Sequence, residues 1–268
     1  MLLQYKLSVQ VLGYINLIYS KLQQFYKFML SIFKKELNQF FSNLTGYIAI
    51  VLFLLINAIF LFMLQDSSIF EFGYASLDKF FELAPWILMF LVPAITMRTL
   101  SDEFRAGTFE ILKTKPLSAW QIVLGKYFSI LVVLLLAILP TIVYVVTIKI
   151  LSAQGGIDSG GILGSYIGLI LLSAVFAAIG LCCSGFTNNA VVAFLISAFS
   201  CLILYFGFNA LSKLPFLASG FDYYIEMLGI DFHYRSISRG VLDSRDLVYF
   251  LSVIFIFLLA TVKNLHKK

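Results

Sequence analysis

The residues best placed to do chemistry stand at positions 99–127, TLSDEFRAGTFEILKTKPLSAWQIVLGKY. Two carboxylates, Glu103 and Glu110, bracket Arg105, Gly107 and Thr108. Side chains of this kind make ion pairs and hydrogen bonds with another protein. No nucleophile–base arrangement accompanies them, so covalent or general-base catalysis has no foundation here. Asp102–Lys113 reads as a helix that Pro116 ends, and Ser118 can cap the next one. The segment is either a solvated connector or a docking element for a cytoplasmic partner. As a docking element, it would offer Glu103 and Glu110 to basic residues of the partner. Glu103 has the alternative of pairing within its own loop. Gly107 permits a bend or a close approach.

Other chemistries lack their residues. There is no GxxxxGK[ST] phosphate loop, and Gly155–Gly156 and Gly160–Gly161 match no nucleotide fingerprint. His233 and His266 stand far apart and join no metal-binding cluster. Cys182, Cys183 and Cys201 lie inside apolar runs, without disulfide or metal spacing. The net charge is +5, but no dense basic stripe suggests nucleic acid. The expectation is a non-catalytic chain that binds no cofactor or metal directly.

The elements that must hold the 99–127 segment follow from composition. Apolar residues make up 61% of the 268 and charged residues 12%, against about 45–50% and about 25% in a soluble domain. A bilayer is the solvent that such a chain needs. Six runs can cross it: 47–64, the stretch between Glu82 and Arg98, the stretch between Lys126 and Lys149, 162–186, 190–211, and the stretch between Asp246 and Lys263. The expected fold is therefore an all-α membrane protein of six transmembrane helices with both termini cytoplasmic. The second run is short, carries Pro85 and Pro93, and has room to borrow a turn at Phe80–Phe81. Pro140 should kink the third.

No charge interrupts the runs, which argues against a proton relay. Asn57 and Asn209 are their polar exceptions, either bonding helix to helix or lining a transport path. Gly164, Gly168 and Gly180 give the fourth run a small face for close packing. The two halves show no internal repeat of the secondary-transporter kind. With the N-terminus inside, 13 of the 19 Lys and Arg residues fall on the cytoplasmic side. That asymmetry sets the orientation.

Three segments lie outside the runs. Residues 1–28 form an N-terminal extension with Leu3, Leu7, Val11, Ile18, Leu22 and Phe25 at near-helical spacing. It is either a helix lying on the membrane or an extension ahead of a true start at Met29. It does not resemble a signal peptide. Residues 30–43 read as an interfacial helix, with Ile32, Phe33, Leu37, Phe40 and Phe41 opposite Lys34, Lys35, Glu36 and Asn38. Residues 212–246 are rich in aromatics, among them Phe216, Phe221, Tyr223, Tyr224, Phe232 and Tyr234. They either re-enter the outer leaflet or lie at its surface.

The 103–127 segment resembles the type-2 ABC exporter permeases. Their first cytoplasmic loop carries the pattern that Glu103, Gly107, Thr108, Glu110, Leu112, Pro116, Ser118, Gly125 and Lys126 match here. The resemblance extends from Met29 onward, making 29–268 one six-span permease domain. Within that family, residues 84–118, 164–172 and 234–252 resemble the gliding-motility-associated ABC transporter permeases of the Bacteroidota.

The resemblance implies a transmembrane exporter subunit in a bacterial cytoplasmic membrane. It would work with a separate ATP-binding subunit that holds ATP and magnesium, and with a second permease copy or a related permease. Lys34, Lys35, Glu36, Glu103, Arg105, Gly107, Thr108, Glu110, Leu112 and Pro116 would meet the ATP-binding subunit. The competing reading is a non-transporting membrane scaffold for a motility or secretion complex.

Overall fold

The computed structural model describes residues 2–63, 76–152, 158–214, 221–240 and 243–267. The stripe expected at Leu3, Leu7, Val11 and Ile18 lies outside the described side chains, as do Gly155–Gly156 and Phe216. The described residues are helical, with no strand among them.

A long helix, α1 (Leu2–Ser42), leads into α2 (Leu44–Phe62). The two meet at a bend of 67° between residues 22–42 and 46–62. Then follow α3 (Asp78–Thr96), the short helices α4 (Ser101–Arg105) and α5 (Thr108–Lys113), and α6 (Ala119–Ile138). A 3-10 turn at Leu139–Thr141 joins α6 to α7 (Ile142–Leu151). The chain continues through α8 (Ser159–Phe186), α9 (Ala190–Leu202), a π-turn at Ile203–Gly207, and α10 (Phe208–Ser212). It closes with α11 (Asp222–Glu226), α12 (Ile230–Ser238) and α13 (Ser244–Lys267).

Five segments are long and apolar enough to cross a bilayer: Asp78–Arg105, Ala119–Ile150, Ser159–Phe186, Ala190–Ser212 and Ser244–Lys267. Counting the bent pair α1–α2 brings the total to six. The expected all-α membrane architecture holds. The second span is longer than its apolar run, because Phe80 and Phe81 are buried at its start and the segment continues through a turn at 97–100 into α4. Pro140 sits in the 3-10 turn, which absorbs the hydrogen bond that a proline cannot donate.

α8 is the central helix, covered by α3, α6, α9, α12 and α13. α9 and α13 instead turn large apolar side chains outward, among them Leu195, Phe199, Leu251 and Phe255. Such a band is uncovered only in the absence of lipid or a neighbouring subunit. The small face of α8 serves two neighbours. At Gly180 it faces α3, where an added Cβ would stand 2.1 Å from Thr96 Oγ1. At Gly164 and Gly168 it faces α12 and the residues after it.

Part of the aromatic segment therefore packs into the helix bundle. Ile230, Tyr234 and Ile237 of α12 are buried, and the Tyr234 hydroxyl donates to the Phe81 carbonyl at 2.7 Å. Burial holds that phenol well above its usual pKa, so it remains a donor.

Candidate functional site

One end of the bundle gathers α1, the α3–α4 junction, the start of α6 and the α8–α9 connection. The site is built outward from α1. Ile32 and Glu36 are one helical turn apart and so share a face, and both are buried. Glu36 thus lies on the buried side of the amphipathic helix, not on the solvated side expected for it. What lies opposite is α6. At Gly125 a Cβ would come within 3.0 Å of Ile32 and of the Met29 carbonyl, so the missing side chain lets the two helices touch. The next residue, Lys126, is then carried into the interface.

Lys126 is buried, with its side chain 1% exposed. An ammonium has three N–H donors and needs three acceptors once water is gone. It has three: Glu36 Oε1 at 2.8 Å, the Thr99 carbonyl at 2.8 Å and Glu103 Oε1 at 3.0 Å. Lys35, half exposed, adds a second cation at 3.0 Å from Glu103 and 3.5 Å from Glu36. Two lysines and two glutamates make a neutral quartet, which is how charges are tolerated away from water. The quartet ties α1, α4 and α6 at one point.

Neighbouring contacts hold that point still. Ser184 of α8 accepts from the Leu100 and Ser101 amides and donates to the Met97 carbonyl, fixing the α3–α4 turn. Ser118 and Gln121 form a capping box at the start of α6, and Gln121 also donates to the Phe25 carbonyl of α1. The boundary expected at Met29 lies inside α1, which runs through it unbroken.

The 102–113 helix expected from sequence is two helices. Gly107 breaks it with φ of +68°, a conformation that side chains resist. Phe104 and Phe109 meet edge-on across the corner, with ring centres 5.0 Å apart. The corner exposes Arg105, Gly107, Thr108, Glu110, Lys113 and Pro116, while Leu112 is half buried. Ile111 is also 63% exposed, an apolar side chain with no cover on a polar surface. An open cleft lies between Arg105 and Phe186–Asn189 of the α8–α9 connection.

The ten residues expected at an interface therefore fall into two groups. Glu36 and Glu103 turn inward, with Lys35 above them. Lys34, Arg105, Gly107, Thr108, Glu110 and Pro116 are exposed, and Leu112 lies at the edge of this second group. Sequence reasoning names Lys126 only as a match to the loop pattern and not as an interface residue, and it does not single out Ile111 or 187–189. For Lys126 a signal exists in the Gly-Lys pair at the start of an apolar run. For 187–189 there is none beyond three polar residues between two spans.

The two asparagines lie elsewhere. Asn57 is buried and donates to Phe53 of its own helix at 2.7 Å. Asn209 reaches Glu226 and Asp231 at the opposite end of the bundle.

A family model described as "ABC-2 family transporter protein" matches residues 73–262. The chain belongs to the ABC-2 transporter family. The match includes Glu103 and Lys126, while α1, with Lys35 and Glu36, precedes it. No curated protein matches the chain. Members of the ABC-2 family are multi-pass permease subunits of ABC transporters that partner with an ATP-binding subunit. The exposed α4–α5 corner lies directly beside the quartet, since Glu103 of α4 belongs to it. The quartet joins α4 to two other helices, α1 and α6.

Proposed function

We propose that this chain is the transmembrane half of an ATP-driven exporter in a bacterial cytoplasmic membrane. It pairs with a second copy or a related permease. A separate subunit binds and hydrolyses magnesium ATP, and docks on Arg105, Gly107, Thr108, Glu110 and Ile111, with Lys34 and 187–189 at the rim. The carrying observation is the Lys126 quartet. A push on α4–α5 is passed to α1 and α6 through buried charge contacts, because a displaced Glu103 would leave Lys126 short of an acceptor. Association with gliding motility or its secretion is the finer reading. It rests on the resemblance of residues 84–118, 164–172 and 234–252.

Gentle-detergent purification of the chain from its native membrane, followed by mass spectrometry, tests this. An ATP-binding subunit and a permease partner should co-purify. Gly107→Trp faces open space but must hold a bulky side chain at positive φ, a strain of about 1–2 kcal/mol. It should cut recovery of the ATP-binding subunit about tenfold while membrane levels of the chain stay near normal. Recovery of cell-envelope proteins alone, with no ATPase, would sink the transporter reading and favour a scaffold.

Orientation is tested separately. In intact spheroplasts, Arg239→Cys should react with an impermeant maleimide, whereas Thr108→Cys should react only after lysis. The reverse pattern would invert the topology.

A further inference from the structure

A cavity of about 310 Å³ lies beside the quartet, between α1, α2 and the α3–α4 junction. Its floor is apolar, formed by the buried Leu91 and Ile95 and running out to Ile48 and Leu52 at the edge. Its other wall is polar, with Thr99, Glu103 and Lys126 inside and Arg98 and Asp102 toward the mouth. Two buried polar atoms of that wall have no hydrogen-bond partner among the described residues: Glu103 Oε2 and Thr99 Oγ1. Thr99 is only 7% exposed.

The two walls make conflicting demands on an occupant. The volume equals the share of about ten waters at ~30 Å³ each. Water would satisfy the polar wall but would lie against four aliphatic side chains. An apolar occupant would suit the floor but leave a buried carboxylate oxygen unmet, which costs about 1–3 kcal/mol or more. An amphipath satisfies both. Its polar part must donate hydrogen bonds, because Glu103 Oε2 can only accept. Charged donors make the strongest hydrogen bonds to a carboxylate oxygen, so the inner group is best a primary ammonium. Arg98 is exposed and makes no ion pair among the described residues. It can take an anionic group next to that cation. Ile48, Leu52 and Ala94 are exposed at the outer edge, so the opening faces the bilayer and a tail can leave through it.

We infer that this cavity binds the headgroup and upper chain of a bilayer phospholipid bearing a primary ammonium. The ammonium donates to Glu103 Oε2 and Thr99 Oγ1, the phosphate meets Arg98, and one acyl chain lies along Ile48, Leu52 and Ile95. The lipid wedges between α2 and the quartet. The site does not depend on transport and would exist in a scaffold as well.

Native mass spectrometry of the full-length chain in mild detergent tests the inference. The added probes are phosphatidylethanolamine, phosphatidylcholine and phosphatidylglycerol with identical acyl chains. Phosphatidylcholine is the informative control, since it keeps the cation and the phosphate but has no N–H to donate. One phosphatidylethanolamine per chain should be retained, about tenfold more tightly than phosphatidylcholine. Ala94→Trp should close the mouth and abolish that retention. Arg98→Gln should weaken it several-fold. Neither substitution touches the quartet, and Leu52→Trp replaces Ala94→Trp should the latter not fold.

Several results would overturn the inference. Equal retention of phosphatidylethanolamine and phosphatidylcholine, or retention unchanged in Ala94→Trp, would mean annular lipid only. Preference for phosphatidylglycerol would mean that the phosphate alone is read. No retained lipid would mean a cavity filled by water.

Discussion

Replacing Lys126 by methionine should cost the fold about 3–5 kcal/mol, the range for removing one partner of a buried ion pair. Methionine is close in length and apolar, so little packing is lost and the cost is electrostatic. Glu36 and Glu103 would then face each other with only Lys35 nearby. Lys35 is 52% exposed, so solvent screens its compensation. Lys126→Arg should recover only part of the loss, because a planar guanidinium cannot aim donors at acceptors placed for an ammonium.

The decisive comparison is a triple substitution, Lys126→Met with Glu36→Gln and Glu103→Gln. It removes all three charges and should melt well above the single variant. Thermal unfolding in mild detergent, followed by size-exclusion fluorescence, reads all of these. A Lys126→Met protein that melts with the parent would show that the quartet contributes nothing.

Gly164→Ala is the second substitution with a large expected effect. Its Cβ would lie 2.8 Å from Gly240 Cα and 2.9 Å from the Ile237 carbonyl. Both are backbone atoms, so no rotamer change relieves the contact. α8 and the end of α12 must separate. That movement also loosens Ser165, whose hydroxyl donates to the Ser238 carbonyl at 2.7 Å. The cost should reach the upper end of the ~1–3 kcal/mol typical of overpacking. Gly168→Ala is the internal control. Its nearest neighbour is the Ile237 Cγ2 methyl at 3.2 Å, which can turn aside. The same melting assay should rank Gly164→Ala well below Gly168→Ala, and equal melting temperatures would refute the close approach.

The spans are legible in the sequence because a bilayer demands long apolar runs, and such runs survive without knowledge of neighbours. Ser159–Phe186 and Ala190–Ser212 fall within three residues of the runs expected for them. The second span reads short because Asp78, Lys79 and Glu82 interrupt its start. Lys79 and Glu82 pair with each other at the exposed surface while Phe80 and Phe81 turn inward.

Of the site, the exposed corner can be read and the buried quartet cannot. A glycine at 107 suggests a bend and supplies one. Glu36 sits among Lys34, Lys35 and Asn38, so local periodicity puts it on the wet side. Only Lys126, 90 residues away, draws it inward. Lys126 in turn looks like the solvated flank of a span, since position alone does not reveal whether water surrounds it.

The order of residues in the quartet bears on how the chain is made. Glu36, Thr99 and Glu103 all precede Lys126. At ~5–20 residues per second, Glu36 leaves the ribosome about 5–20 s before the lysine that it neutralises. Lys126 therefore enters the membrane with every acceptor already synthesised, before α8, α9 or α13 exists. The basal corner can close while the rest of the protein is still being translated, and the later helices are then added around a finished joint.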